Sequence, residues 1–317
     1  MTELRDLVAA ELNLPVDPRV GAMAEAIAAK HGTASRAVLF YGSCLREKQL
    51  EGLMLDFYLI VSDYRSAYQK KWLAVANRLI PPNVFYFEHE GLAAKYAVLS
   101  EADFAHECGP DAWNVSTAAR FAQPSRLAWA VDEKARTTAI ETVAQAAPAL
   151  LGWTIIASKV SSILNLWREA FAHTFAAELR AERPERSAAI VDADPDRYQI
   201  FGELALSVMS AKRPANEEDA RRWWRRKQLK GKLYSIPRLA KASFTFAGGG
   251  RLHRMEDQSP CRDRHKAQAL AAKASLARGG YPFAAALELR GGSLVRARAA
   301  ATELARAPTV KGLRSSS

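Results

Sequence analysis

VLFYGSCLREKQLEGLMLDFYLIVS, residues 38–62, has the pattern of a strand, a tight turn, a short helix and a second strand. The first apolar run ends at Gly42 and Ser43, and the second covers residues 53–61. One acid, Asp56, interrupts the second run, and a lone carboxylate in a buried strand is costly unless it is paired or holds a metal. A Gly-Ser turn lets the backbone approach a bound group closely and adds a hydroxyl donor. The segment therefore indicates a phosphate cradle beside a Mg²⁺-binding carboxylate.

Apolar periodicity predicts an α/β domain with a small mixed sheet at residues 1–132 and a mainly helical domain at residues 133–250. The further strands predicted in the first domain are residues 84–87, 92–100 and 125–131, with a turn at residues 88–91. The helices predicted there are a short one within residues 1–18, and residues 19–31, 63–79, 101–108 and 112–121. In the second domain, the predicted helices are residues 133–149, 150–182, 196–212 and 216–230, and residues 184–197 are predicted to form a loop.

The composition is typical of a globular protein, because 49% of the residues are hydrophobic and 25% are charged. No apolar run is long enough for a membrane-spanning helix, and the N-terminal sequence has no signal-peptide pattern. The three cysteines, Cys44, Cys108 and Cys261, do not have the spacing of metal ligands. These features favour a reducing, cytoplasmic compartment.

Residues 251–317 differ in composition from the rest of the chain. They are rich in Ala and Arg and hold 13 Lys and Arg against 5 Asp and Glu, whereas residues 1–250 hold 32 against 29. The formal net charge of +11 is therefore mostly a property of this segment, and no nucleic-acid partner is expected. We interpret the segment as an atypical basic tail, either disordered or produced by a frameshift in the gene near Gly250.

Three blocks of sequence in a fixed order resemble one family of nucleotidyltransferases. They are Phe40-Tyr41-Gly42-Ser43 with Leu55-Asp56-Phe57, then KYAVLS at residues 95–100, then Trp113-Asn114 with AARFAQP at residues 118–124. Together they are similar to the mitochondrial-maintenance type of phosphatidate cytidylyltransferase, well over residues 36–132 and more loosely over residues 150–250. The resemblance implies a nucleotidyltransferase-like domain followed by a winged-helix-like domain. It also implies transfer of CMP from CTP to phosphatidate, with Mg²⁺, by a peripheral enzyme at the inner face of a membrane.

Gly42, Ser43 and Asp56 have the main roles that the resemblance implies. Gly42 and Ser43 are expected to hold the CTP triphosphate, and Ser43 and Asp56 are expected to be catalytic. Asp56 would bind Mg²⁺ while the phosphatidate phosphate attacks the α-phosphorus and pyrophosphate leaves. The alternative interpretations are an ordinary strand-end turn for Gly42 and Ser43, and a buried, hydrogen-bonded carboxylate for Asp56.

A second metal ligand is missing from the strand that contains Asp56. The wider superfamily has a second acid two residues after the first, and this chain has Tyr58 at that position. The missing ligand is predicted at the end of the next strand, at Glu88, with Glu90 as the alternative. A solvated turn acid is the other interpretation of either residue.

Lys95, Arg120 and Asn114 are predicted to contact the nucleotide. Lys95 interrupts an apolar strand and offers a point charge, whereas the planar guanidinium of Arg120 suits bidentate contact with a phosphate. The alternatives are an outward-facing strand residue for Lys95, a surface salt bridge for Arg120 and a helix cap for Asn114.

A basic helix with two tryptophans is the strongest charge feature of the predicted helical domain. Its residues are Arg221, Arg222, Trp223, Trp224, Arg225 and Arg226. Such a helix suits a membrane surface rich in anionic lipid, and phosphatidate is such a lipid. A solvated helix face with tryptophans in the core is the alternative, and a nucleic-acid patch is the third interpretation.

Two other functions are compatible with these patterns. The first is a nucleotidyltransferase that moves a nucleotide to another small molecule or to a protein. The second is a catalytically silent relative that binds lipid or nucleotide, which the missing second acid favours. The sequence does not define an oligomeric state.

Overall fold

The computed structural model describes most of the first 231 residues of the chain. The described residues are 2–42, 44–45, 50, 52–156, 158, 160, 162–177, 185–209 and 216–231. The predicted tail at residues 251–317 and the predicted triphosphate-binding residue Ser43 lie outside these ranges.

A five-stranded mixed sheet forms the centre of the fold. Its strands are β1 (Ser35–Tyr41), β2 (Met54–Val61), β3 (Asn83–His89), β4 (Leu92–Ser100) and β5 (Ser125–Ala130). Their order across the sheet is β3-β4-β2-β1-β5. The pair β2 and β4 runs parallel, and the other neighbouring strands run antiparallel. Parallel neighbouring strands need a crossover connection. The segment that connects β2 to β4 contains two helices, at residues 64–67 and 71–79, and the strand β3.

The strands β3 and β4 form the predicted hairpin. His89 pairs with Leu92, so Glu90 and Gly91 alone form the turn, with φ angles of 48° and 77°. Two successive residues with positive φ match the two-residue turns whose twist suits a hairpin. The turn is shorter than predicted, because Glu88 and His89 continue the strand.

Helices lie on both faces of the sheet. Those with both ends described within the first 132 residues are α1 (Thr2–Leu12), α2 (Pro18–Ala29), α3 (Tyr64–Ala67), α4 (Lys71–Leu79), α5 (Glu101–Cys108) and α6 (Val115–Phe121). The single helix predicted at residues 63–79 is divided into α3 and α4. The division arises because Tyr68 and Lys70 have extended backbone conformations between the two helices.

The described residues after position 132 are mainly helical. Their helices are α7 (Glu133–Val143), α8 (Ala146–Thr154), α9 (Ile163–Ala177), α10 (Glu185–Asp192), α11 (Pro195–Val208) and α12 (residues 217–231). The predicted helix at residues 133–149 is divided before Pro148, which lies in the first turn of α8, where a residue without an N–H group is tolerated. The helix α10 occupies residues 185–192 of the predicted loop. Asp194 caps α11 and Pro195 begins it, within the last part of that loop.

Two hydrophobic clusters lie on opposite faces of the sheet. The first includes Phe57 and packs against α2, and the second includes Tyr58 and packs against the helices after β5. Successive residues of β2 therefore point to opposite clusters, as strand geometry requires. The second cluster continues to Trp224 of α12, so it contains residues from both predicted domains. The predicted boundary at residue 132 stays a prediction.

The predicted fold class is confirmed by this arrangement. A mixed sheet with helices on both faces is followed by a mainly helical part. Within the described ranges, no helix combines the length and the apolar composition that crossing a bilayer requires.

Candidate functional site

Gly42 and Asp56 meet at one end of the sheet. Tyr41, the last residue of β1, pairs with Asp56 on β2, and Gly42 follows it with a φ of 103°. A Cβ atom added at Gly42 would lie 3.1 Å from the Oδ2 atom of Asp56. Because this φ and this clearance both disfavour a side chain, glycine allows the backbone to approach the carboxylate.

Lys95 forms an ion pair with Asp56. The strands β2 and β4 are parallel neighbours, and their register places the two residues side by side. The Nζ atom of Lys95 lies 3.1 Å from the Oδ1 atom of Asp56, and 33% of the lysine side chain and 19% of the aspartate side chain are exposed. The ammonium group compensates a carboxylate that is largely removed from water. The two oxygens of Asp56 therefore face different groups, Lys95 on one side and the Gly42 turn on the other.

Tyr86 continues this row of side chains on the edge strand. It pairs with Lys95 in the hairpin register, and its hydroxyl group donates a hydrogen bond to the Glu88 carboxylate. No motif distinguishes Tyr86 in the sequence. A two-residue turn at Glu90-Gly91, however, defines the hairpin register, and that register places Tyr86 opposite Lys95. The position of the turn in the sequence could therefore have identified Tyr86 as a neighbour of the site.

Glu88 and Asp56 are not brought together by the fold. The strand β4 separates them, and Glu88 is two residues beyond the row that contains Asp56, which places the two Cα atoms about 12 Å apart by ordinary strand spacing and rise. Glu90 lies in the hairpin turn, with its carboxylate 4.0 Å from the Nε2 atom of His89. Among residues with a described position, no three His, Cys, Asp or Glu side chains are grouped closely enough to hold a metal ion. The strand register does not favour a Mg²⁺ ion shared by Asp56 and Glu88, and the metal role of Glu88 stays a prediction.

The site does fit a magnesium ion that is bound to a nucleotide. Mg²⁺ commonly takes one or two protein carboxylates and completes its octahedral coordination with water and substrate phosphates. The Oδ2 atom of Asp56 is one such ligand, and Gly42 keeps the space beside it free of a side chain. Asp56 is therefore the described residue that would hold the ion.

The helix α6 lies over the same face of the sheet, because Phe121 packs on Tyr41 with the ring centroids 6.0 Å apart. Asn114 caps this helix, and its side-chain oxygen accepts a hydrogen bond from the Ser116 N–H at 3.0 Å. Arg120 donates from Nη1 to the carbonyl oxygen of Ser116 at 2.9 Å. The alternative interpretation of Asn114 as a helix cap describes the structure, and the nucleotide contacts of Asn114 and Arg120 stay predictions.

The two tryptophans of α12 pack against other parts of the protein, with Trp224 buried and Trp223 partly buried. Trp224 is 2% exposed and donates from Nε1 to the carbonyl oxygen of Trp153 at 3.0 Å. Trp223 stacks on the Trp153 ring with the centroids 4.8 Å apart. These rings join α12 to α8, and the alternative interpretation of a tryptophan in the core describes Trp224. Contact between the partly buried Trp223 and lipid stays a prediction.

The arginines of α12 remain on the surface. Arg221 and Arg222 form ion pairs with Glu217 and Glu218, one turn earlier in the helix. Arg225 and Arg226 are exposed. Contact between these arginines and lipid stays a prediction.

No model of a protein family and no curated protein sequence matches the chain. Among solved structures, one similar chain is a nucleotidyltransferase-like protein from Exiguobacterium sibiricum, with 10% sequence identity and a TM-score of 0.25. The similarity covers 84% of this chain and 94% of that chain. A likeness of this size carries no argument about function, so function has to be argued from the residues of the site.

Proposed function

We propose that this protein is a nucleotidyltransferase that transfers CMP from CTP to phosphatidate and releases pyrophosphate. The observation that carries the proposal is the meeting of Gly42, Asp56 and Lys95 at the end of three neighbouring strands. Nucleotidyl transfer needs a backbone that can approach a triphosphate, an acid for Mg²⁺ and a positive charge near the phosphates. These three residues supply those parts.

Each of the three residues has a separate role in the proposed reaction. Mg²⁺, when bound with CTP, supplies neutralisation of the phosphate charge as pyrophosphate leaves. Asp56 would hold the ion through Oδ2, while Lys95 orients the carboxylate through Oδ1. Gly42 lets the main chain approach the phosphates. A phosphate oxygen of phosphatidate forms the new bond to the α-phosphorus, and the bond from the α-phosphorus to the pyrophosphate oxygen breaks.

The choice of CTP and phosphatidate depends on the three blocks of sequence that resemble the cytidylyltransferase family. The KYAVLS block forms most of β4, beside the strand that contains Asp56. The third block contains Asn114, the cap of α6, and Phe121, which packs on Tyr41 at the end of β1. The resembling segments therefore lie on neighbouring elements around one face of the sheet, which supports their use in a single site.

The experiment is a pyrophosphate-release assay with each nucleoside triphosphate in turn, Mg²⁺ and vesicles that contain phosphatidate. We expect turnover with CTP that requires phosphatidate and falls at least about 100-fold in Asp56→Asn, because the variant loses charge where the metal is held. Glu25→Gln is the matched control, because Glu25 is an exposed acid on α2 and its loss leaves the site intact. Circular dichroism of each variant checks that it is folded.

Other outcomes of this assay would identify the rival functions. Turnover with ATP in the absence of lipid would assign the protein to another nucleotidyl transfer. Full activity in Asp56→Asn would overturn the proposed site. Binding of CTP or lipid by the wild type, with no pyrophosphate release, would establish a catalytically silent binding protein.

The silent alternative is favoured by one specific observation. Lys95 already provides a positive charge to Asp56, and among the described residues Asp56 belongs to no group of three or more His, Cys, Asp or Glu side chains that could hold a metal. Such a site would bind the phosphates of a nucleotide through basic side chains such as Lys95, without a metal ion to promote the transfer. Magnesium-dependent CTP binding distinguishes the two, because a site that uses Asp56 as a ligand loses CTP affinity when Mg²⁺ is removed.

A further inference from the structure

The helix α4 exposes its large apolar side chains. Trp72, Val75 and Leu79 are 48%, 57% and 70% exposed. Their spacing of three and four residues places them in one stripe along the helix. A surface helix ordinarily turns such a stripe toward the core, so α4 has the opposite orientation from the one that its hydrophobic pattern predicts.

Polar contacts hold α4 in this orientation. Ala74 and Asn77 are the buried residues of the helix. The Asn77 side chain donates to the carbonyl oxygen of Val98 at 2.9 Å and accepts a hydrogen bond from the Asn83 N–H. The side of α4 that faces the sheet therefore holds Asn77 together with Ala74 and the partly buried Leu73, and the apolar stripe stays on the surface.

Positive charge borders the stripe. Lys71 and Arg78 lie beside it on α4, and they share a cleft of about 950 Å³ with Arg65 of α3. Asp63 and Asp103 also line the cleft, but Asp63 caps α3 and Asp103 accepts a hydrogen bond from a tyrosine. In the described part of the chain, no carboxylate forms an ion pair with any of the three basic side chains.

We infer that α4 is a docking surface for an anionic phospholipid bilayer. Trp72, Val75 and Leu79 would enter the boundary between headgroups and acyl chains, where tryptophan and aliphatic side chains are both stable. Lys71 and Arg78 would contact the lipid phosphates. This surface is separate from Asp56 and from α12, and the inference does not depend on the proposed reaction.

Charge complementarity favours a lipid surface over a second copy of the chain. Two copies that met through α4 would bring their Lys71 and Arg78 side chains together, and like charges at a desolvated contact are unfavourable. An anionic bilayer provides the opposite charge next to an apolar layer. The stripe and its basic border match both parts of that surface.

The test is co-sedimentation of the full chain with vesicles, in the absence of nucleotide. Phosphatidylcholine vesicles with and without phosphatidylglycerol serve as the probe, because phosphatidylglycerol is anionic but is not the proposed substrate. We expect binding to the anionic vesicles only, and at least about a tenfold loss of binding in Trp72→Ser/Leu79→Ser and in Lys71→Gln/Arg78→Gln. These residues are exposed, so the substitutions leave the core intact.

Two matched variants control for position. Ile200→Ser removes an apolar side chain that is 50% exposed on α11, and Arg19→Gln/Lys134→Gln removes two exposed charges, one from α2 and one from α7. Both should bind vesicles like the wild type. Undiminished vesicle binding in both α4 variants would overturn the inference.

A self-association that the α4 substitutions abolish, measured by sedimentation velocity, would also overturn it. The proposed reaction is measured separately with detergent-dispersed phosphatidate. Its absence would leave the vesicle result unaffected.

Discussion

The surroundings of the Asp56 carboxylate differ at its two oxygens. Oδ1 is paired with Lys95, and Oδ2 faces the Gly42 backbone, which has no side chain to interfere. An aspartate in this position can keep its counter-charge and still offer one oxygen to a ligand. The ion pair alone accounts for the presence of an acid in a buried strand, and the glycine at φ 103° allows the turn to pass close to that acid.

Gly42 is therefore the residue at which the site can be tested without removing charge. In Gly42→Ala, the new Cβ would meet Oδ2 of Asp56 at 3.1 Å and the backbone would be strained. We expect a loss of about 2–4 kcal/mol in the free energy of unfolding and a larger fall in turnover than in stability. Urea denaturation and pyrophosphate release measure the two effects.

The control for Gly42→Ala is Gly32→Ala. Gly32 has a φ of 55°, in the left-handed region, and a Cβ there meets no atom within 4 Å. This variant should lose only about 1–2 kcal/mol of stability and keep its turnover. Equal effects at the two glycines would show that the approach to Asp56 has no functional importance.

Local sequence predicted the Gly42–Asp56 neighbourhood, because both residues belong to one strand-turn-strand segment. The contact of Lys95 with Asp56 was not predicted, and Lys95 was expected to meet a phosphate. Alternation along a strand defines the face on which a side chain lies but not its neighbour on the next strand. That neighbour depends on the register of β2 against β4, which no local pattern contains.

At the scale of one element, the sequence pattern predicts that α4 is a helix but does not predict which side of the helix faces the sheet. The amphipathic pattern of residues 63–79 predicted a helix, and two helices form within it. Periodicity alone would bury the stripe of Trp72, Val75 and Leu79. Hydrogen bonds of Asn77, together with the packing of Leu73 and Ala74, instead hold the other side of α4 against the sheet.

Asn77 should therefore contribute more to stability than the exposed apolar residues of the same helix. Asn77→Ala leaves the Val98 carbonyl and the Asn83 N–H without their partner in a buried position, and we expect a loss of about 2–3 kcal/mol. Val75→Ser changes an exposed side chain and should stay within about 0.5 kcal/mol of the wild type. Thermal unfolding measures both, and the reverse order of the two effects would contradict the orientation of α4.

His31 connects three elements and introduces a dependence on pH. Its Nδ1 lies 2.9 Å from the carbonyl oxygen of Ala67 at the end of α3, so Nδ1 donates, and its Nε2 accepts from the Tyr96 hydroxyl on β4 at 3.2 Å. Burial lowers the pKa of His31 below its usual value of 6.5, against an opposing effect of the bond to Ala67. The neutral ring is therefore the form that the fold stabilises.

The sign of the pH effect follows from that direction. The unfolded chain binds a proton near pH 6.5 and the folded chain only at lower pH, so stability is complete above about pH 6.5 and falls as the pH is lowered. We expect His31→Gln to have a smaller decrease in unfolding free energy than the wild type between pH 7 and pH 5. Burial also lowers the pKa of His173, so some dependence should remain, and His173→Gln is the matched variant. An unchanged decrease in His31→Gln would contradict this account.

At the scale of the whole molecule, the N-terminal helix is joined to a helix far along the chain. Arg197 of α11 contacts both carboxylate oxygens of Glu11 on α1, and its Nη1 donates to the carbonyl oxygen of Ala122 at 3.1 Å. Composition and periodicity predicted a change of architecture near residue 132, and the helices appear there. Composition and periodicity could not predict that residues before and after position 132 share one hydrophobic cluster. Contacts between distant segments do not change the apolar periodicity of either segment.

The Glu11–Arg197 ion pair should therefore affect the stability of both parts at once. Its side chains are 16% and 8% exposed, so Arg197→Met leaves a nearly buried carboxylate without its partner. We expect a loss of about 3–5 kcal/mol in the free energy of unfolding. Urea denaturation followed by far-ultraviolet circular dichroism and by tryptophan fluorescence should show one transition with the same midpoint, shifted to lower urea in the variant.

Arg168→Met is the control, because the Arg168–Asp192 pair links α9 to α10 at the surface, with 33% and 53% of its side chains exposed. An exposed ion pair contributes less than about 1 kcal/mol, so this variant should unfold close to the wild type. If instead Arg197→Met shifted the transition of one part and left a second transition in place, the sheet and the helices after residue 132 would be separate folding units. A single shifted transition would mean that the sheet and the later helices unfold together. The loss of one ion pair can destabilise both only if they are coupled through the hydrophobic cluster that they share.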